Sequence, residues 1–283
     1  MELIKSDLIW GQRFQELANI IIDDAGDQCD GENKDIGKYP IVYTHTYNAN
    51  KLFQWLSRKN EKYIVITHNS DGKVKSEGEA MRVNSGSSND VSVKDITPNT
   101  VYWYSQNVCA EHPRLQSLPI GLENPHWFEK IGKMDRMIER IEGCRKSERT
   151  RLAYMNYNVY NNPNERQPLF RKFARENWVT AELKKNPQDF VSYLENLIQH
   201  RFVFSPEGNG TDCHRPWEAL YMGCIPILKR NFHTNHYEGK VAAMFVDDWN
   251  EVTEESLNNF KCDTALTQNL YWKYWDNKIR NAK

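Results

Sequence analysis

The sequence has no long apolar run and no excess of charge of one sign, and each absence excludes a class of protein. No stretch of 18 or more apolar residues occurs in the 283 residues, which predicts no membrane-spanning helix and no stable membrane insertion. The formal net charge is −1 at pH 7, so no basic field supports a nucleic-acid partner. The opening stretch, MELIKSDLIWGQRFQ, lacks the apolar centre of a signal peptide, and a cytoplasmic location is therefore expected.

The sequence also lacks clustered cysteines and the common phosphate-loop motifs. Its six cysteines are scattered without a C-x-x-C pair, a distribution that favours free thiols over a disulfide framework. Neither a Walker A motif nor G-x-G-x-x-G is found, so the ATPase and NAD-dependent oxidoreductase readings have no motif. What is present, 39% hydrophobic and 27% charged residues with nine tryptophans, indicates a globular protein with an aromatic core or a sugar-binding cleft.

Apolar and helical patterns alternate along the chain and predict an α/β fold. Residues 39–71 have a strand, a helix and a second strand, which is the pattern of a βαβ unit with parallel strands. A highly charged stretch at 129–150 predicts a surface helix and a linker, after which the alternation restarts. We expect two Rossmann-like domains, 1–145 and 146–263, with a carboxyl-terminal helix at 264–283 that packs back on the first domain. Ligands of such domains bind at the carboxyl ends of the strands, which makes a central cleft the default site.

The most informative stretch is FSPEGNGTDCHRPWEALYMGCIPIL, residues 204–228. It predicts an apolar strand closed by Pro206, a glycine-containing turn at 207–210, a helix that ends at Gly223, and a further strand. The glycines of the turn predict positive φ angles and a close approach of backbone N–H groups to a ligand. A single G-x-G is weak by itself, and the signal comes from its combination with the helix that follows.

The start of that helix carries Arg215, Pro216 and Glu218. Because proline is favoured at the first helical position, we expect Pro216 there, Arg215 at the N-cap and Glu218 at the third position. Anions bind well at a helix N-terminus, and an arginine fork suits phosphate. Glu218 suits a ribose diol, although an acid in a first turn is as typical of a helix cap. Together these residues predict a site for a nucleoside diphosphate.

At these residues the chain resembles a known family. SPEGNGTDCHRPWEALYMGCIPIL is similar to the donor-binding motif of exostosin-like glycosyltransferases, which have the GT-B fold. YSQNVCAEHPRLQSLPIGLEN and RLAYMNYNVYNNPNERQPLF resemble the end of the first domain and the start of the second. The resemblance implies inverting transfer from a nucleotide sugar, usually a UDP-sugar, to a hydroxyl of an oligosaccharide or glycoprotein acceptor. It implies no obligatory metal or other cofactor, and it places residues 1–145 on the acceptor side.

Donor-binding and catalytic residues are expected at several positions. The expected donor-binding residues are Glu207, Gly208, Asn209, Gly210, Asp212, Arg215 and Glu218, with a second set of Asn156, Asn158 and Arg166. Asn156 and Asn158 also suit ordinary turns. An inverting transferase needs a general base, for which Asp71 is the first candidate and His68 the second, both just beyond a predicted strand. Ser70-Asp71-Gly72 is equally typical of an Asx-turn. Glu207, Asp212 and His45 remain alternatives for the base.

Three alternative functions remain open on the sequence. A metal-dependent GT-A transferase would use an acidic pair such as Asp247-Asp248. A zinc site would draw on Cys213, His214, His233 and His236, although their spacing is loose and no C-x-x-C accompanies them. A carbohydrate- or nucleotide-binding protein on a transferase fold, without turnover, is the third. The donor sugar, xylose or another, and the acceptor are not readable from the sequence.

Overall fold

A computed structural model describes residues 4–22, 28–30, 37–81, 89–126, 133–145, 147–183, 190–265 and 267–282. The chain forms two compact units, and neither is continuous in sequence. The first, here the amino-terminal unit, comprises Ile9–Ile120, Asn209–Asp212 and Trp272–Lys283. The second, the carboxyl-terminal unit, comprises Met1–Leu8, Gly121–Gly208 and Cys213–Tyr271. The boundary expected near residue 145 thus lies inside the carboxyl-terminal unit, and residues 272–283 belong with the amino-terminal one.

The amino-terminal unit contains a mainly parallel sheet with the strand order β2-β1-β3-β4-β7-β9. Only its outer β1–β2 pair is antiparallel. The small strands β5, β6 and β8 form a separate parallel sheet. The elements are β1 (Ile20–Ile22), β2 (Gln28–Asp30), β3 (Ile41–His45), β4 (Tyr63–His68), β5 (Val74–Lys75), β6 (Val91–Ser92), β7 (Thr100–Ser105), β8 (Val108–Cys109) and β9 (Leu115–Ser117), with α1 (Gly11–Glu16) and α2 (Ala49–Leu56).

The predicted βαβ unit is confirmed, since β3, α2 and β4 follow one another and the two strands are parallel. Leu52, Phe53 and Leu56 project from α2 into the core, where all three are buried. The ring of Phe53 meets that of Trp103 edge to face, with centroids 4.9 Å apart. Truncating one such buried leucine to alanine costs about 2–5 kcal/mol, so burial is what holds α2 on the sheet.

The carboxyl-terminal unit contains a wholly parallel sheet with the strand order β11-β10-β12-β13-β14. Its elements are β10 (Arg151–Tyr157), β11 (Val179–Leu183), β12 (His200–Phe204), β13 (Ile225–Lys229) and β14 (Met244–Val246), with α3 (Lys133–Arg145), α4 (Pro163–Phe173), α5 (Phe190–Gln199), α6 (His214–Met222), α7 (Phe232–Asn235) and α8 (Glu254–Asn259). The last helix, α9 (Trp272–Arg280), belongs to the amino-terminal unit.

The strand order of this second sheet reverses at β10. From β10 the chain goes first to β11 on one side and then to β12 on the other. In open parallel sheets, ligands bind in the crevice at the carboxyl ends of the two strands where the order reverses. The loops that follow β10 and β12 therefore leave the sheet at its expected ligand-binding point.

Two features fix α6 in place. The helix ends at Met222, and Gly223 takes a left-handed conformation with φ of 73° as its C-cap, which confirms the expected stop and the strand beyond it. Half-buried Arg149 donates to the carbonyl oxygens of four residues. These are Leu197 at 2.6 Å, Ile198 at 2.5 Å, Cys144 at 3.1 Å and Met222 at 2.6 Å. One guanidinium thereby provides hydrogen-bond donors to carbonyl oxygens in the carboxyl-terminal turns of α3, α5 and α6.

In the described part of the chain, none of the helices has both the length and the apolar character needed to span a membrane.

Candidate ligand-binding site

Arg166 ties the loop after β10 to the loop after β12. Arg166 lies on α4 and is only 3% exposed to solvent. Its Nε donates to the Glu207 carbonyl at 2.6 Å, one Nη to the Asn158 carbonyl at 2.9 Å, and the other Nη to the Pro206 carbonyl at 3.3 Å. These bonds use most of the five N–H groups of the guanidinium. Arg166, which the sequence placed in the second donor-binding set, therefore shapes the site and contributes its charge, while most of its N–H groups are engaged within the protein.

Position 208 requires glycine because the Arg166 side chain passes close to its Cα, and not because of its own backbone angles. A Cβ at Gly208 would lie 2.9 Å from an Nη of Arg166 and 3.0 Å from Sγ of Cys213. At Gly210 a Cβ would lie 2.8 Å from the side-chain nitrogen of Asn107. Neither glycine has a positive φ, so that part of the sequence expectation was wrong. Close approach of other side chains is the physical reason for both glycines.

The expected donor loop is divided after Gly208, because residues 209–212 belong to the amino-terminal unit. Asp212 is buried there, and its carboxylate accepts a hydrogen bond from the Ile120 N–H at 2.7 Å. Its own N–H donates to Oδ1 of Asn107 at 2.8 Å. This geometry corrects the expectation for Asp212: the carboxylate holds a backbone turn and is not presented to a sugar or a proton. Asn209 is exposed, and its expected donor contact stays a prediction.

The amino terminus of α6 lies two residues earlier than expected. The helix begins at His214 with Cys213 as N-cap, so Pro216 occupies the third position and Glu218 the fifth. Arg215 is consequently the second helical residue and not the N-cap. Proline is tolerated in the first turn because its missing N–H has no intrahelical acceptor there. Arg215 remains in the first turn of the helix, at its N-terminus.

Arg215 has an unusual environment. Its guanidinium lies 5.8 Å from the ring centroid of Tyr157, and the guanidinium of Arg166 lies 5.5 Å from the same ring. Its Nε is buried without a hydrogen-bond partner in the described part of the chain. Within those residues, neither arginine pairs with a carboxylate. Two neighbouring cations, neither within ion-pair distance of a carboxylate, favour the binding of an anion.

Glu218 and Asn156 belong to polar networks beside Arg215. The Tyr193 hydroxyl donates to Oε2 of Glu218 at 2.8 Å. The Asn156 amide donates to the Tyr154 hydroxyl at 2.7 Å, which corrects its alternative as a turn residue; it is a buried strand residue. Burial is the main cause that raises the pKa of Tyr154 and Tyr193, and the charge of Arg215 opposes it. Both phenols therefore stay protonated donors at neutral pH. The second carboxylate oxygen of Glu218 has no hydrogen bond to any described residue, which leaves it available to ligand hydroxyls.

Asn158 acts as an ordinary cap. Its side-chain oxygen accepts from the Tyr160 N–H at 3.0 Å, at the start of the 3-10 turn Val159–Asn161. Its carbonyl is held by Arg166. Asn158 therefore positions the loop after β10, which is the turn role that the sequence left open.

The geometry of His68 favours a structural role over general base catalysis. His68 is completely buried at the end of β4, and its ring stacks on Phe14 with centroids 4.9 Å apart. Its Nδ1 accepts from the Asn69 N–H at 2.8 Å, so Nε2 carries the proton and donates to the Pro119 carbonyl at 3.0 Å. Both nitrogens are thus engaged within the amino-terminal unit, and no lone pair remains for a substrate proton.

Asp71 and His45 lie at the carboxyl ends of neighbouring strands. Asp71 is half-buried and is the central residue of a turn in which the Ser70 hydroxyl accepts from the Gly72 N–H at 3.0 Å. His45, paired in register with His68, stacks on Tyr47 with centroids 5.4 Å apart. Its Nδ1 is buried without a hydrogen-bond partner among the described residues. His45 therefore stays an alternative for the base.

The residues considered for metal binding do not gather into a site. Asp248 caps a 3-10 turn by accepting from the Asn250 N–H, and Asp247 pairs with Arg230. His214 donates through Nδ1 to the Gly121 carbonyl at 2.8 Å, and His236 to that of Phe232 at 2.6 Å. Across the described ranges, no group of three or more His, Cys, Asp or Glu side chains is placed to hold a metal ion. Neither the acidic-pair nor the zinc alternative gains support.

No protein-family model matches this chain, and no curated protein sequence matches it significantly. Function is therefore inferred from the site geometry and from the motif at residues 204–228.

Proposed function

We propose that the carboxyl-terminal unit binds the diphosphate of a nucleotide sugar and that the protein is an inverting glycosyltransferase of the GT-B type. The observation that carries the proposal is Arg215. This cation stands at a helix N-terminus and at the reversal point of a parallel sheet, and its Nε is buried without a partner among the described residues. A buried, unsatisfied cationic donor is costly, and an anionic ligand removes that cost.

The neighbouring groups divide the ligand between them. Arg215 and the N–H groups of the first turn of α6 receive the phosphate oxygens, and the charge of Arg166 supports them. Glu218 accepts hydrogen bonds from the ribose hydroxyls through its second carboxylate oxygen. UDP is the nucleotide that the resemblance favours, and the cleft between two Rossmann-like domains belongs to the same proposal.

In the proposed reaction the acceptor hydroxyl attacks the anomeric carbon from the face opposite the leaving group. The bond from that carbon to the diphosphate oxygen breaks, and its electron pair goes to the diphosphate. Arg215 and Arg166 stabilise the charge that develops there. The hydroxyl proton passes to a general base in the amino-terminal unit, for which Asp71 and His45 are the candidates.

A specific observation favours one other function, nucleotide-sugar binding without turnover. His68 and Asp212, two of the expected bases, are both committed to structural hydrogen bonds. A protein that binds a donor and lacks a base would bind UDP-sugars and transfer nothing.

A ligand panel tests the proposal. UDP, GDP, CMP and several UDP-sugars are titrated by calorimetry and thermal shift, with and without Mn²⁺, because a ligand of the native state raises stability by mass action. We expect metal-independent binding of UDP and of one UDP-sugar, followed by sugar transfer in the presence of acceptor. Donor binding without transfer to any acceptor supports the binding function. Nucleotide binding that occurs only with Mn²⁺ would favour the metal-dependent GT-A alternative. The absence of binding to any of the nucleotides overturns the proposal.

A further inference from the structure

The carboxyl-terminal unit has a concave surface whose lining includes neither Arg215 nor Glu218. This surface, here the α4 cleft, has a volume of about 550 Å³. It lies at the first turn of α4 and at the loops that follow β12, β13 and β14. Its volume is within the range of sites that enclose small ligands. Its lining includes Asn162, Glu165, Glu207, Lys229, Asn231 and Trp249.

The polar groups of the α4 cleft are held in fixed positions. Glu165 accepts from the Trp249 indole N–H at 3.1 Å and from the Asn162 amide at 3.3 Å. Glu207 accepts from the Asn231 amide at 2.8 Å. Burial raises the pKa of Glu165, and the charge of Glu207 raises it further. Two carboxylates, two amides and one indole thus form a preorganised set of donors and acceptors, which is the chemistry that recognises hydroxyl groups.

The charges of the α4 cleft balance, which disfavours a polyanion. The cationic lining side chains are Lys172, Lys229 and Arg230, and the anionic ones are Glu165, Glu207 and Asp248. Two of the three cations already have partners within the protein, because Arg230 pairs with Glu238 and Asp247, and Lys172 donates to Asn250. A nucleoside diphosphate would meet as many negative groups as positive ones. An uncharged ligand with many hydroxyls is the better match.

Lys229 is the cationic side chain of the α4 cleft whose N–H groups are available to a ligand. Its ammonium makes no hydrogen bond or ion pair with another described residue. Its charge nevertheless lies near enough to Glu165 to lower the pKa of that carboxyl, against the larger effect of burial. A lysine in this position can donate to ligand oxygens without first breaking a bond within the protein.

Aromatic side chains accompany the polar lining. Half-buried Trp249 lines the α4 cleft itself. Tyr160, 79% exposed, lies two residues before Asn162, and Phe232, 47% exposed, directly follows Asn231. These two rings are close in sequence to lining side chains, and neither is itself part of the lining. Sugar rings offer apolar C–H faces to such side chains and hydroxyls to the polar groups between them.

We propose that the α4 cleft binds an uncharged oligosaccharide. One sugar stacks on Trp249, and its hydroxyls bond to Lys229, Glu165, Glu207 and the two amides. Neighbouring sugars extend past Tyr160 and Phe232. This inference stands without the transferase proposal, since it uses neither Arg215 nor Glu218.

Calorimetric titration of the full chain tests the α4 cleft with defined probes. The neutral probes are xylohexaose, cellohexaose, mannohexaose and chitohexaose, and UDP is the anionic comparison. We expect at least one hexasaccharide to bind, and Lys229→Met and Tyr160→Ala each to weaken its binding about tenfold. Tyr160→Ala removes an exposed ring and leaves the melting temperature unchanged, so a misfolded protein cannot account for its effect. Lys261→Met removes an exposed lysine that does not line the cleft and should bind as the parent does.

The outcomes separate this site from the nucleotide site. Arg215→Ala should lose UDP and keep the hexasaccharide, and Lys229→Met should do the reverse. The inference is overturned if no neutral hexasaccharide binds the parent. It is equally overturned if the hexasaccharide binds Lys229→Met and Tyr160→Ala as tightly as it binds the parent. It is also overturned if UDP displaces the hexasaccharide and if Lys229→Met and Tyr160→Ala both lose UDP binding. The α4 cleft would then be part of the nucleotide-binding site.

Discussion

Oδ1 of Asn107 accepts a hydrogen bond from the backbone N–H of Asp212 at 2.8 Å, although the two residues are 105 positions apart. Its side-chain nitrogen donates to the Ser70 carbonyl at 3.0 Å. Asn107 is completely buried and has a φ of 53°, an angle that asparagine tolerates better than most residues. One amide therefore joins the turn after β4 to the segment 209–212 of the amino-terminal unit.

Asn107→Ala should destabilise the protein. The substitution removes the hydrogen bonds that the Asp212 N–H and the Ser70 carbonyl make with the Asn107 side chain, and losing such a buried bond costs about 1–3 kcal/mol. We expect the free energy of unfolding to fall by about 3 kcal/mol in total, measured by urea denaturation. Asn209→Ala, at an exposed position of the same segment, should stay within about 0.5 kcal/mol of the parent. Equal stability of both variants would contradict the role given to Asn107.

Arg215→Met should weaken UDP binding without a comparable loss of stability. A charge-assisted hydrogen bond contributes about 1.5–3 kcal/mol, so the dissociation constant should rise about 10- to 100-fold. The variant removes a buried donor that lacks a partner among the described residues, and the melting temperature should stay constant or rise. Arg175→Met, which removes an exposed arginine of the same unit, is the matched control. Unchanged UDP affinity in Arg215→Met would show that the phosphate binds elsewhere.

Arg149→Met should have the opposite profile, with a loss of stability and no direct contact with ligand. The change leaves carbonyl groups at the ends of three helices without their donor. We expect the free energy of unfolding to fall by about 3 kcal/mol, measured by chemical denaturation. Arg151→Met, at an exposed position two residues later, should change it by less than about 0.5 kcal/mol. A loss of similar size in both variants would argue for a general charge effect.

His200 should make stability depend on pH in the weakly acidic range. Burial lowers its pKa from the usual 6.5, although the hydrogen bond from Nδ1 to the Asn196 carbonyl opposes this. The unfolded chain then binds the proton more readily than the folded one. The stabilising contribution is complete above pH 6.5 and declines as the pH falls from there toward the folded-state pKa.

His200→Gln should reduce that decline, and denaturant unfolding at pH 8, 7, 6 and 5 measures it. The quantity to compare is the difference between parent and variant, because His112 and His236 shift in the same direction in both proteins. Parallel curves for His200→Gln and the parent would contradict the assignment.

Several parts of the fold could be predicted because they depend on residues close in sequence. The βαβ unit β3-α2-β4 is visible as two short apolar runs around a helical pattern, and the structure has it there. The end of α6 at Gly223 follows from the need for a left-handed C-cap. The start of α6 was placed wrongly, since Pro216 fits any position of a first turn and the pattern does not distinguish them.

The candidate site was predictable only in part, for a related reason. Arg215 and Glu218 stand out because a glycine turn and a helix start precede them directly. The roles of Arg166, His68 and Asp212 depend on carbonyl and amide groups that lie 41, 51 and 92 residues away in the chain. A residue type indicates what a side chain can bond to, and not which partner it meets.

The sequence by itself determined the alternation of strands and helices, the parallel strands of the β3-α2-β4 unit and the end of α6 at Gly223, because these follow from local pattern and backbone preference. Tertiary structure alone decided that residues 209–212 join the amino-terminal unit, that Arg149 serves three helix ends, and that His68 has no nitrogen left for catalysis. The physical reason is that buried polar groups must find partners, and the fold, not the neighbouring sequence, supplies them.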